Sequence, residues 1–466
     1  MNALNAKFNF TITDCGQSLS LCQGDDIRIY PAERNKRFGE FLTPRQIDLI
    51  RIATAVHVAD AWARRKVTFN GLRNPHIQIE VLDSAFWSKP DTIDLLKNCV
   101  DFVSGGDDWE FSFLASKNVR HDRCTNLFRE YDHDALVSLY SGGLDSASGL
   151  AVRAAAQPGR MIVPVTIRHQ LQKSQLLRSH FKLLMDHGIL KRADFNPFQA
   201  GAFIRNERIK REFKEEFREI SHRCRPLLFM SVAGIVANSF SAPEVEVFES
   251  GVGSINLPLV GGPADYRTTR STHPNFLRLL SALVSHVNGT AVRYVLPFAD
   301  KTKAEMVGML KAIGLDELAR KSVSCILHPL KRKGWQQCGR CAACVFRRQA
   351  MLTAGIAEDK NAYATDLFTE TESGYTIPPK HMRWVMAFHE QVAHLGELDS
   401  GIVPSCFRRY LKTTKAATTE EQIAPHAEVY RRYRREWMLL IADARRRNFP
   451  WITPSRSLAA VEGATS

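Results

Sequence analysis

A glycine-containing turn between a predicted strand and a predicted helix constrains this chain more than any other feature of its sequence. The apolar residues 135–140 predict a buried strand, and residues 141–146, with the sequence SGGLDS, follow it directly. Two adjacent glycines allow positive φ angles and let backbone N–H groups point toward one spot. A helix that begins near Asp145 adds the partial positive charge of its N-terminus there. The pattern predicts a phosphate or pyrophosphate site, although a short Ser/Gly turn is also found in ordinary strand–helix connections.

The length and charge of the chain set broad limits on its organisation and partners. Its 466 residues exceed what one hydrophobic core usually holds, so we expect two or three domains. The formal net charge of +14 favours an anionic partner such as ATP, nucleic acid or an acidic protein, although a solvated basic surface has the same signature. No apolar run is long enough for a membrane span, and the first residues lack the apolar segment of a secretory signal. We therefore expect a cytoplasmic protein.

The pattern of predicted elements divides the chain into three parts. Residues 1–130 resemble a separate α+β unit that groups no catalytic residue types, and we interpret it as an accessory domain. Its predicted strands and helices lie at residues 8–12, 27–30, 44–65, 76–81, 93–103 and 110–113. Residues 131–350 alternate strand and helix, which predicts the α/β class with a parallel sheet flanked by helices. Its predicted strands lie at residues 135–140, 161–167, 193–195, 245–249 and 292–296, and its predicted helices after Asp145 and at residues 175–187, 206–220, 226–239, 275–287 and 303–313.

The third part, residues 351–466, is predicted to be a helical and increasingly basic extension. Tyr430, Tyr433 and Trp437 alternate there with pairs of arginines. This pattern favours a solvated basic helix face whose aromatic side chains pack on the domain below. A surface that binds RNA or an acidic partner is the alternative.

Four cysteines have the spacing of a metal site. Cys338, Cys341 and Cys344 form a CxxCxxC pattern, and Cys325 lies one loop before them. Four thiolates can close a tetrahedral zinc site, which is structural because it leaves no position for water. An iron–sulfur cluster uses a similar ligand set and is the alternative.

The SGGLDS turn and the cysteine cluster, in this order, resemble the PP-loop family of N-type ATP pyrophosphatases, and within it QueC, the 7-cyano-7-deazaguanine (preQ0) synthase. The resemblance covers roughly residues 135–350 and implies the adenine nucleotide alpha hydrolase-like fold. Three further segments fit it, namely residues 225–229, 250–252 and 303–305, the last with the sequence KAE. Members of the family split ATP between its α and β phosphates and attach AMP to a carboxylate or carbonyl oxygen. The resemblance therefore implies ATP, Mg²⁺ and Zn²⁺ as cofactors.

The resemblance also implies roles for individual residues. The catalytic ones would be Asp145, which would face magnesium, together with Ser146 and Lys303. The residues expected to hold ATP are Ser141, Gly142, Gly143, Leu144, Asp145, Ser146, Arg225, Gly251 and Lys303. The expected zinc ligands are Cys325, Cys338, Cys341 and Cys344.

The chain departs from QueC in its substrate loops and in its length. Residues 166–170, TIRHQ, replace a DYGQ-like stretch, and the loop after Gly251 is long and different. We expect recognition of the base or carboxylate from polar residues of that loop, with ordinary surface positions as the alternative. The candidates are Asn256, Asp265, Arg267, Arg270 and His273.

The added N- and C-terminal parts make the chain similar to the large QueC-like proteins of bacterial anti-phage defence, as in the Qat and type IV CBASS systems. This similarity implies activation of a 7-deazaguanine carboxylate with ATP and its transfer to an amine, with a protein from the same operon as acceptor. Plain preQ0 synthesis is the alternative within the family. A tRNA-modifying PP-loop enzyme is another, with Cys124 and Cys224 as the only candidate thiols for thiolation. A non-catalytic nucleotide-binding scaffold is the alternative from a different class.

Overall fold

The computed structural model of the chain describes most of its length. The described residues are 7–14, 19–21, 27–30, 42–65, 72–117, 135–168, 172–190, 198–199, 201–204, 219, 221–259, 269–328, 330, 337–359, 361–369 and 377–452. The predicted strand at residues 193–195 lies outside them, as does nearly all of the predicted helix at 206–220.

The described residues form strands in three sheets. The strands are β1 (Lys7–Asp14), β2 (Leu19–Leu21), β3 (Ile27–Tyr30), β4 (Asn74–Val81), β5 (Glu110–Ala115), β6 (Leu136–Leu139), β7 (Ile162–Val165), β8 (Ile167–Arg168), β9 (Phe198–Gln199), β10 (Gly201–Ile204), β11 (Glu244–Glu246) and β12 (Arg293–Val295). Strands β8 and β9 form a separate two-stranded parallel pair.

Helices connect and cover these sheets. They are α1 (Pro44–Trp62), α2 (Ser84–Trp87), α3 (Pro90–Ser104), α4 (Leu144–Ala156), α5 (Gln172–Asp186), α6 (Arg225–Ser239), α7 (Gly251–Ile255), α8 (Pro274–Asn288), α9 (Lys303–Ala312), α10 (Asp316–Lys321), α11 (Ala342–Thr353), α12 (Pro379–His394), α13 (Ser405–Thr413) and α14 (Glu420–Arg446). In the part of the chain that the structure describes, no helix is both long and apolar enough to cross a membrane.

The first sheet has six strands in the order β10-β3-β2-β1-β4-β5. Strands β1, β4 and β5 pair in parallel, and the other pairs are antiparallel. Strand β4 alternates half-buried and buried residues, which is the pattern of a strand with one face on the core. Strand β10 follows the second sheet's first two strands in sequence, so the chain returns to complete the first sheet.

The second sheet has four strands, all parallel, in the order β12-β11-β6-β7. Helices connect its strands, so the predicted α/β arrangement with a parallel sheet is confirmed for this part of the chain. The chain passes from β6 to β7 on one side of β6 and later returns to β11 on its other side. Open α/β sheets bind ligands at such a switch in strand order, outside the carboxyl ends of the strands. The predicted site should therefore lie beyond Leu139 and Glu246, where β6 and β11 end.

A buried ionic network lies where the two sheets' helices meet. Arg73 Nη2 lies 2.5 Å from Asp60 Oδ1 and 2.6 Å from Asp107 Oδ2, and Arg65 Nη1 lies 2.7 Å from Asp107 Oδ1. Burial acts to raise the pKa of Asp60, but Arg73 and Arg65 outweigh it and lower this pKa to about 2. Asp60 also accepts a hydrogen bond from the backbone N–H of Cys224, which precedes α6. The network therefore fixes α1 against the start of α6.

The helices from α12 onward form a layer with its own core against α7 and α11. Tyr430, Tyr433 and Trp437 of α14 are buried there, as the sequence predicts, with exposed fractions of 1%, 0% and 0%. Trp437 stacks on Phe388 of α12, with ring centroids 5.6 Å apart. This layer places α14 next to the carboxyl end of the second sheet.

Candidate active site

One of the two glycines of the SGGLDS turn, Gly142, has the positive φ that the sequence allows, whereas Gly143 is extended with a φ of −77°. Gly142 has a φ of +76°, and a Cβ there would lie 2.9 Å from Leu177 Cδ2, so the position requires glycine on two counts. Helix α4 begins at Leu144, with Gly143 as its N-cap residue, which has no side chain to cap the helix. The start of α4 therefore faces the edge of the sheet with backbone donors that its own helix does not use.

Serine hydroxyls surround these donors. Ser141 Oγ accepts from Gly143 N at 3.2 Å, and Ser146 Oγ accepts from Ser141 N at 3.3 Å. Ser324, from a distant loop, accepts from Leu144 N at 3.2 Å. Three backbone N–H groups of the turn thus donate to small hydroxyl oxygens. A phosphate oxygen is a stronger acceptor for the same donors, so the arrangement suits an anion.

Lys303 and Asp145, both expected at a nucleotide site from the resemblance to QueC, lie together at this turn. The Lys303 ammonium pairs with Asp145 Oδ2, and the two side chains are only 9% and 16% exposed. Lys303 is the first residue of α9, whose N-cap Thr302 forms a capping box with Glu305. The cap fixes the start of α9 and so the direction of the lysine. The other oxygen of Asp145, Oδ1, is buried and has no hydrogen-bond partner among the described residues.

Glu249 is a functional candidate that the sequence reasoning did not single out. It follows β11, the neighbour of β6, and burial together with the Asp145 charge raises its pKa to about 8 despite the opposing charge of Lys303. Its Oε1 accepts from the backbone N–H of Ser250 at 3.1 Å. A Cβ on Gly253 would overlap this carboxylate, so the glycine leaves the space that Glu249 occupies. The sequence indicated that Glu249 lies at the end of a predicted strand. It did not indicate that this strand neighbours β6, and only that strand order places Glu249 beside Asp145.

Gly251 allows two backbone segments to approach closely. Its N–H donates to the carbonyl of Lys301 at 2.9 Å, and a Cβ there would overlap the carbonyl of Ala299. The contact joins the end of β11 to the loop before Lys303. Gly251 is thus placed beside the turn and fixes its surroundings.

The remaining predicted ligands are more dispersed. Arg225 begins α6, with its guanidinium carbon 5.5 Å from the ring centroid of Phe229. Asn256 has a left-handed φ of 48° and donates to the carbonyl of Thr269 at 2.8 Å, so it closes the base of the loop after α7. Asp265 and Arg267, predicted in that loop, lie outside the described residues.

Arg270 and His273 lie where the loop enters α8. Arg270 Nη1 donates to the carbonyl of Phe102 at 3.3 Å, and its guanidinium lies over the Phe102 ring. His273 is the buried N-cap residue of α8, and its ring contacts Asn275 N at 3.2 Å and Thr414 Oγ1 at 3.0 Å. Burial lowers its pKa to about 3, so the ring is neutral at physiological pH. Both of its nitrogens are used by the protein itself in this structure.

The four predicted cysteine ligands come together. The sulfur atoms of Cys325, Cys338, Cys341 and Cys344 all lie within 4.8 Å of one another, and all four residues are buried. The Cys338 and Cys344 sulfurs are 3.8 Å apart. The backbone N–H groups of Cys338 and Cys344 point at the sulfurs of Cys325 and Cys341, each at 3.4 Å. Donors aimed at sulfur stabilise thiolates, so the cluster is compatible with a zinc ion.

The cysteine cluster is connected to the SGGLDS turn through the residues before Cys325. Ser324 accepts from Leu144 N, and Val323 N donates to the carbonyl of Gly142 at 2.9 Å. Ser324 N donates in turn to Gln337 Oε1 at 3.1 Å, beside Cys338. The residues around the four cysteines therefore hold the turn in place. The sequence reasoning missed Ser324, and its only signal was adjacency to Cys325.

Cys224, one of the two candidate thiols for thiolation, is not accessible for reaction. Cys224 is fully buried, and burial raises its pKa well above the ordinary value. Cys124 lies outside the described residues. The structure therefore offers no support for a reactive thiol at Cys224.

The comparison with protein families agrees with this geometry. A family model described as "Queuosine biosynthesis protein QueC" matches residues 135–355, slightly less than half of the 466-residue chain. The matched segment contains the SGGLDS turn, Glu249, Lys303 and the four cysteines. It is similar to QueC and supports a QueC-like PP-loop domain, which implies nucleotide binding and use of ATP. No curated protein shows a significant sequence match to the chain.

Proposed function

We propose that the chain activates a 7-deazaguanine carboxylate with ATP and transfers the acyl group to an amine. The observation that carries this proposal is the pairing of Lys303 with Asp145 at a turn whose backbone donors face the switch in strand order. The family match adds the substrate class, since QueC proteins act in queuosine biosynthesis.

The proposed reaction has two steps. A carboxylate oxygen attacks the α-phosphorus of ATP, the bond to the β-phosphate oxygen breaks, and pyrophosphate leaves. An amine then attacks the acyl carbon of the adenylate, the bond to the AMP oxygen breaks, and an amide forms with release of AMP and a proton. The carboxylate oxygen is a poor leaving group, so it must first be joined to AMP as an acyl phosphate, a mixed anhydride. Negative charge that develops on the leaving pyrophosphate is stabilised by the turn's N–H groups and by Lys303.

Residues of the same site suit the ions that this chemistry uses. Mg²⁺ prefers oxygen ligands, and Asp145 Oδ1 is a buried oxygen with no other partner among the described residues. Asp145, with Glu249 next to it, would hold this ion, which supplies charge neutralisation for the phosphates. Burial and the Asp145 charge raise the pKa of Glu249 to about 8, and a cation held by these two residues would favour its charged form.

The cysteine geometry favours one metal ion over a cluster. Around a single zinc ion with bonds of about 2.3 Å, tetrahedral geometry places the sulfurs about 3.8 Å apart. The observed Cys338–Cys344 separation is 3.8 Å. Cysteines of an iron–sulfur cube bind separate irons and so lie farther apart. We infer a structural zinc site that stabilises the SGGLDS turn through Ser324.

We propose a protein as the amine acceptor and anti-phage defence as the setting. Five of the six strands of the first sheet (all but β10) and the α12–α14 layer lie outside the matched segment, and ammonia would need neither part as a docking surface. A partner protein would need such a docking surface. Plain preQ0 synthesis needs only ammonia and is the outcome to be distinguished from this one.

The test is a mass measurement on candidate acceptors. The chain is incubated with ATP, Mg²⁺, 7-carboxy-7-deazaguanine, an ammonium salt and each protein encoded beside its gene, and the intact masses of the proteins and the small-molecule products are recorded. We expect one partner to gain the mass of the acyl group, and no gain when Asp145→Asn replaces the wild type. Unmodified partners together with efficient formation of the free nitrile would show preQ0 synthesis instead.

A further inference from the structure

Helix α14 lies outside the segment that matches QueC, yet it contacts two of the elements that carry the proposed site. It begins at Glu420, well beyond residue 355 where the match ends. Its contacts reach α9, which begins with Lys303, and α7, which follows Glu249. A helix of an added layer therefore shapes the nucleotide site.

The first contact joins α14 to the N-cap of α9, the helix that begins with Lys303. The Thr302 hydroxyl accepts from Glu305 N at 3.1 Å as the N-cap of α9 and donates to Glu436 Oε1 at 2.5 Å. Glu436 Oε2 accepts from Gln349 Nε2 of α11 at 3.1 Å. Glu436 thus fixes the hydroxyl rotor that caps α9, one residue before Lys303.

The second contact is an ion pair with the other half of the same capping box. Arg432 Nε lies 2.7 Å from Glu305 Oε1, and Arg432 Nη2 also donates to the carbonyl of Asp300. Glu305 Oε2 in turn accepts from Thr302 N at 2.8 Å. Arg432 and Glu436 lie one helical turn apart on α14, so one face of that helix holds both sides of the cap.

The third contact reaches the lysine through an aromatic ring. Lys303 Nζ lies 4.6 Å from the ring centroid of Phe346 in α11, within the range of a cation–π interaction. Tyr433 of α14 packs edge-on against the same ring at 5.8 Å. Lys303 is therefore held between Asp145 on one side and a ring positioned by α14 on the other.

The fourth contact fixes the segment after Glu249. The Tyr430 hydroxyl donates to the carbonyl of Val252 at 3.1 Å and accepts from Leu257 N at 3.3 Å. The Val429 side chain lies against Gly251, where an added Cβ would be 3.2 Å from Val429 Cγ1. The same helix thus orders both the lysine and the loop in which substrate contacts are predicted.

We propose that α14 positions Lys303 for the phosphates of ATP, with Arg432 and Glu436 as the positioning residues. This inference rests on the proposed use of ATP at the SGGLDS turn. It makes the α12–α14 layer part of the nucleotide site and not only a docking surface. In an enzyme built in this way, a partner that shifts α14 would change the reactivity of the site.

The test uses Arg432→Ala and Glu436→Ala, with Arg435→Ala as the matched control. Arg435 lies on the exposed side of the same helix, so its removal changes charge without touching the cap. The first readout needs no nucleotide. Lys303 is methylated reductively with formaldehyde and a borane, and its rate of modification is followed by peptide mass spectrometry. We expect about a fivefold faster modification of Lys303 in Arg432→Ala and Glu436→Ala, and the wild-type rate in Arg435→Ala.

The second readout is the affinity for α,β-methylene-ATP with Mg²⁺, measured by calorimetry. We expect about fivefold weaker binding in the two alanine variants and recovery in Glu436→Gln, whose amide oxygen still accepts from Thr302. Unchanged Lys303 modification and unchanged affinity in folded Arg432→Ala and Glu436→Ala would overturn the inference. Failure of the wild type to act on 7-carboxy-7-deazaguanine would overturn the proposed substrate but leave the modification result intact, so the two failures are distinguishable.

Discussion

Substitution of Gly142 by alanine tests the conformation of the nucleotide turn. The φ of +76° places the residue in the left-handed region, which costs an L-residue about 1–2 kcal/mol. The new Cβ would lie 2.9 Å from Leu177 Cδ2 and 3.4 Å from Leu176 Cδ2. Leu177 is only 1% exposed and has little room to move, so overpacking adds about 1–3 kcal/mol. We therefore expect Gly142→Ala to lower the free energy of unfolding by about 2–5 kcal/mol.

The matched control is Gly308→Ala in the interior of α9. A Cβ at Gly308 meets nothing within 4 Å, and the backbone there is helical. Both variants change the unfolded chain alike, since each replaces one glycine with alanine. Gly308→Ala should therefore raise the free energy of unfolding by about 1 kcal/mol.

Equilibrium urea unfolding and calorimetric binding of α,β-methylene-ATP are the assays for this pair. Gly142→Ala should be less stable than the wild type and bind the nucleotide more weakly, whereas Gly308→Ala should bind as the wild type does. Equal stability and equal affinity in the two variants would refute the argument that the turn depends on a left-handed glycine.

Three further predictions concern the metal site, Glu249 and the buried network. The wild type should contain one zinc ion per chain, and Cys344→Ser should contain none and be cleaved faster by proteases near the SGGLDS turn. Metal analysis that finds several irons per chain would contradict the zinc assignment. The pKa of Glu249 is 4.5 in the unfolded chain and about 8 in the folded one, so its stabilising contribution is complete below pH 4.5 and is lost as the pH rises toward 8. The urea midpoint of the wild type should therefore fall as the pH rises from 4.5 to 8, and the midpoint of Glu249→Gln should not show this fall. If the midpoints of the two proteins change with pH in the same way, the raised pKa of Glu249 is contradicted. Arg73→Met should destabilise the chain by about 3–5 kcal/mol, because it leaves the carboxylates of Asp60 and Asp107 buried with one arginine fewer; an unchanged urea midpoint would contradict that role.

Local signals were sufficient for the turn, the start of the helix that carries Lys303, and the cysteine cluster, whereas the role of Lys303 came from the resemblance to QueC. The SGGLDS sequence encodes a left-handed glycine and a helix start, and the capping box at Thr302 encodes the start of α9. Both depend on residues within a few positions of each other. The CxxCxxC spacing likewise brings three ligands together within one loop. These features were predictable because short-range geometry determines them.

The contacts that complete the site were not predictable in this way. Glu249 reaches Asp145 only because β11 lies next to β6, and strand order depends on packing over the whole sheet. Arg432 and Glu436 reach the cap of α9 from more than a hundred positions away. The basic run around them predicted an exposed face, but one side of that helix is used for internal ion pairs. Such pairings are set by tertiary packing, which a single sequence does not display.

The central claim is that the turn binds ATP so that its α-phosphorus reacts with a carboxylate. The most direct measurement is the fate of ATP labelled on its α-phosphate, incubated with the full chain, Mg²⁺, 7-carboxy-7-deazaguanine and an amine acceptor, either ammonium or the partner protein. The account predicts labelled AMP and an equal amount of pyrophosphate, formed only with the carboxylate present and lost in Asp145→Asn. Labelled ADP with free phosphate, or AMP formation that Asp145→Asn leaves unchanged, would contradict it.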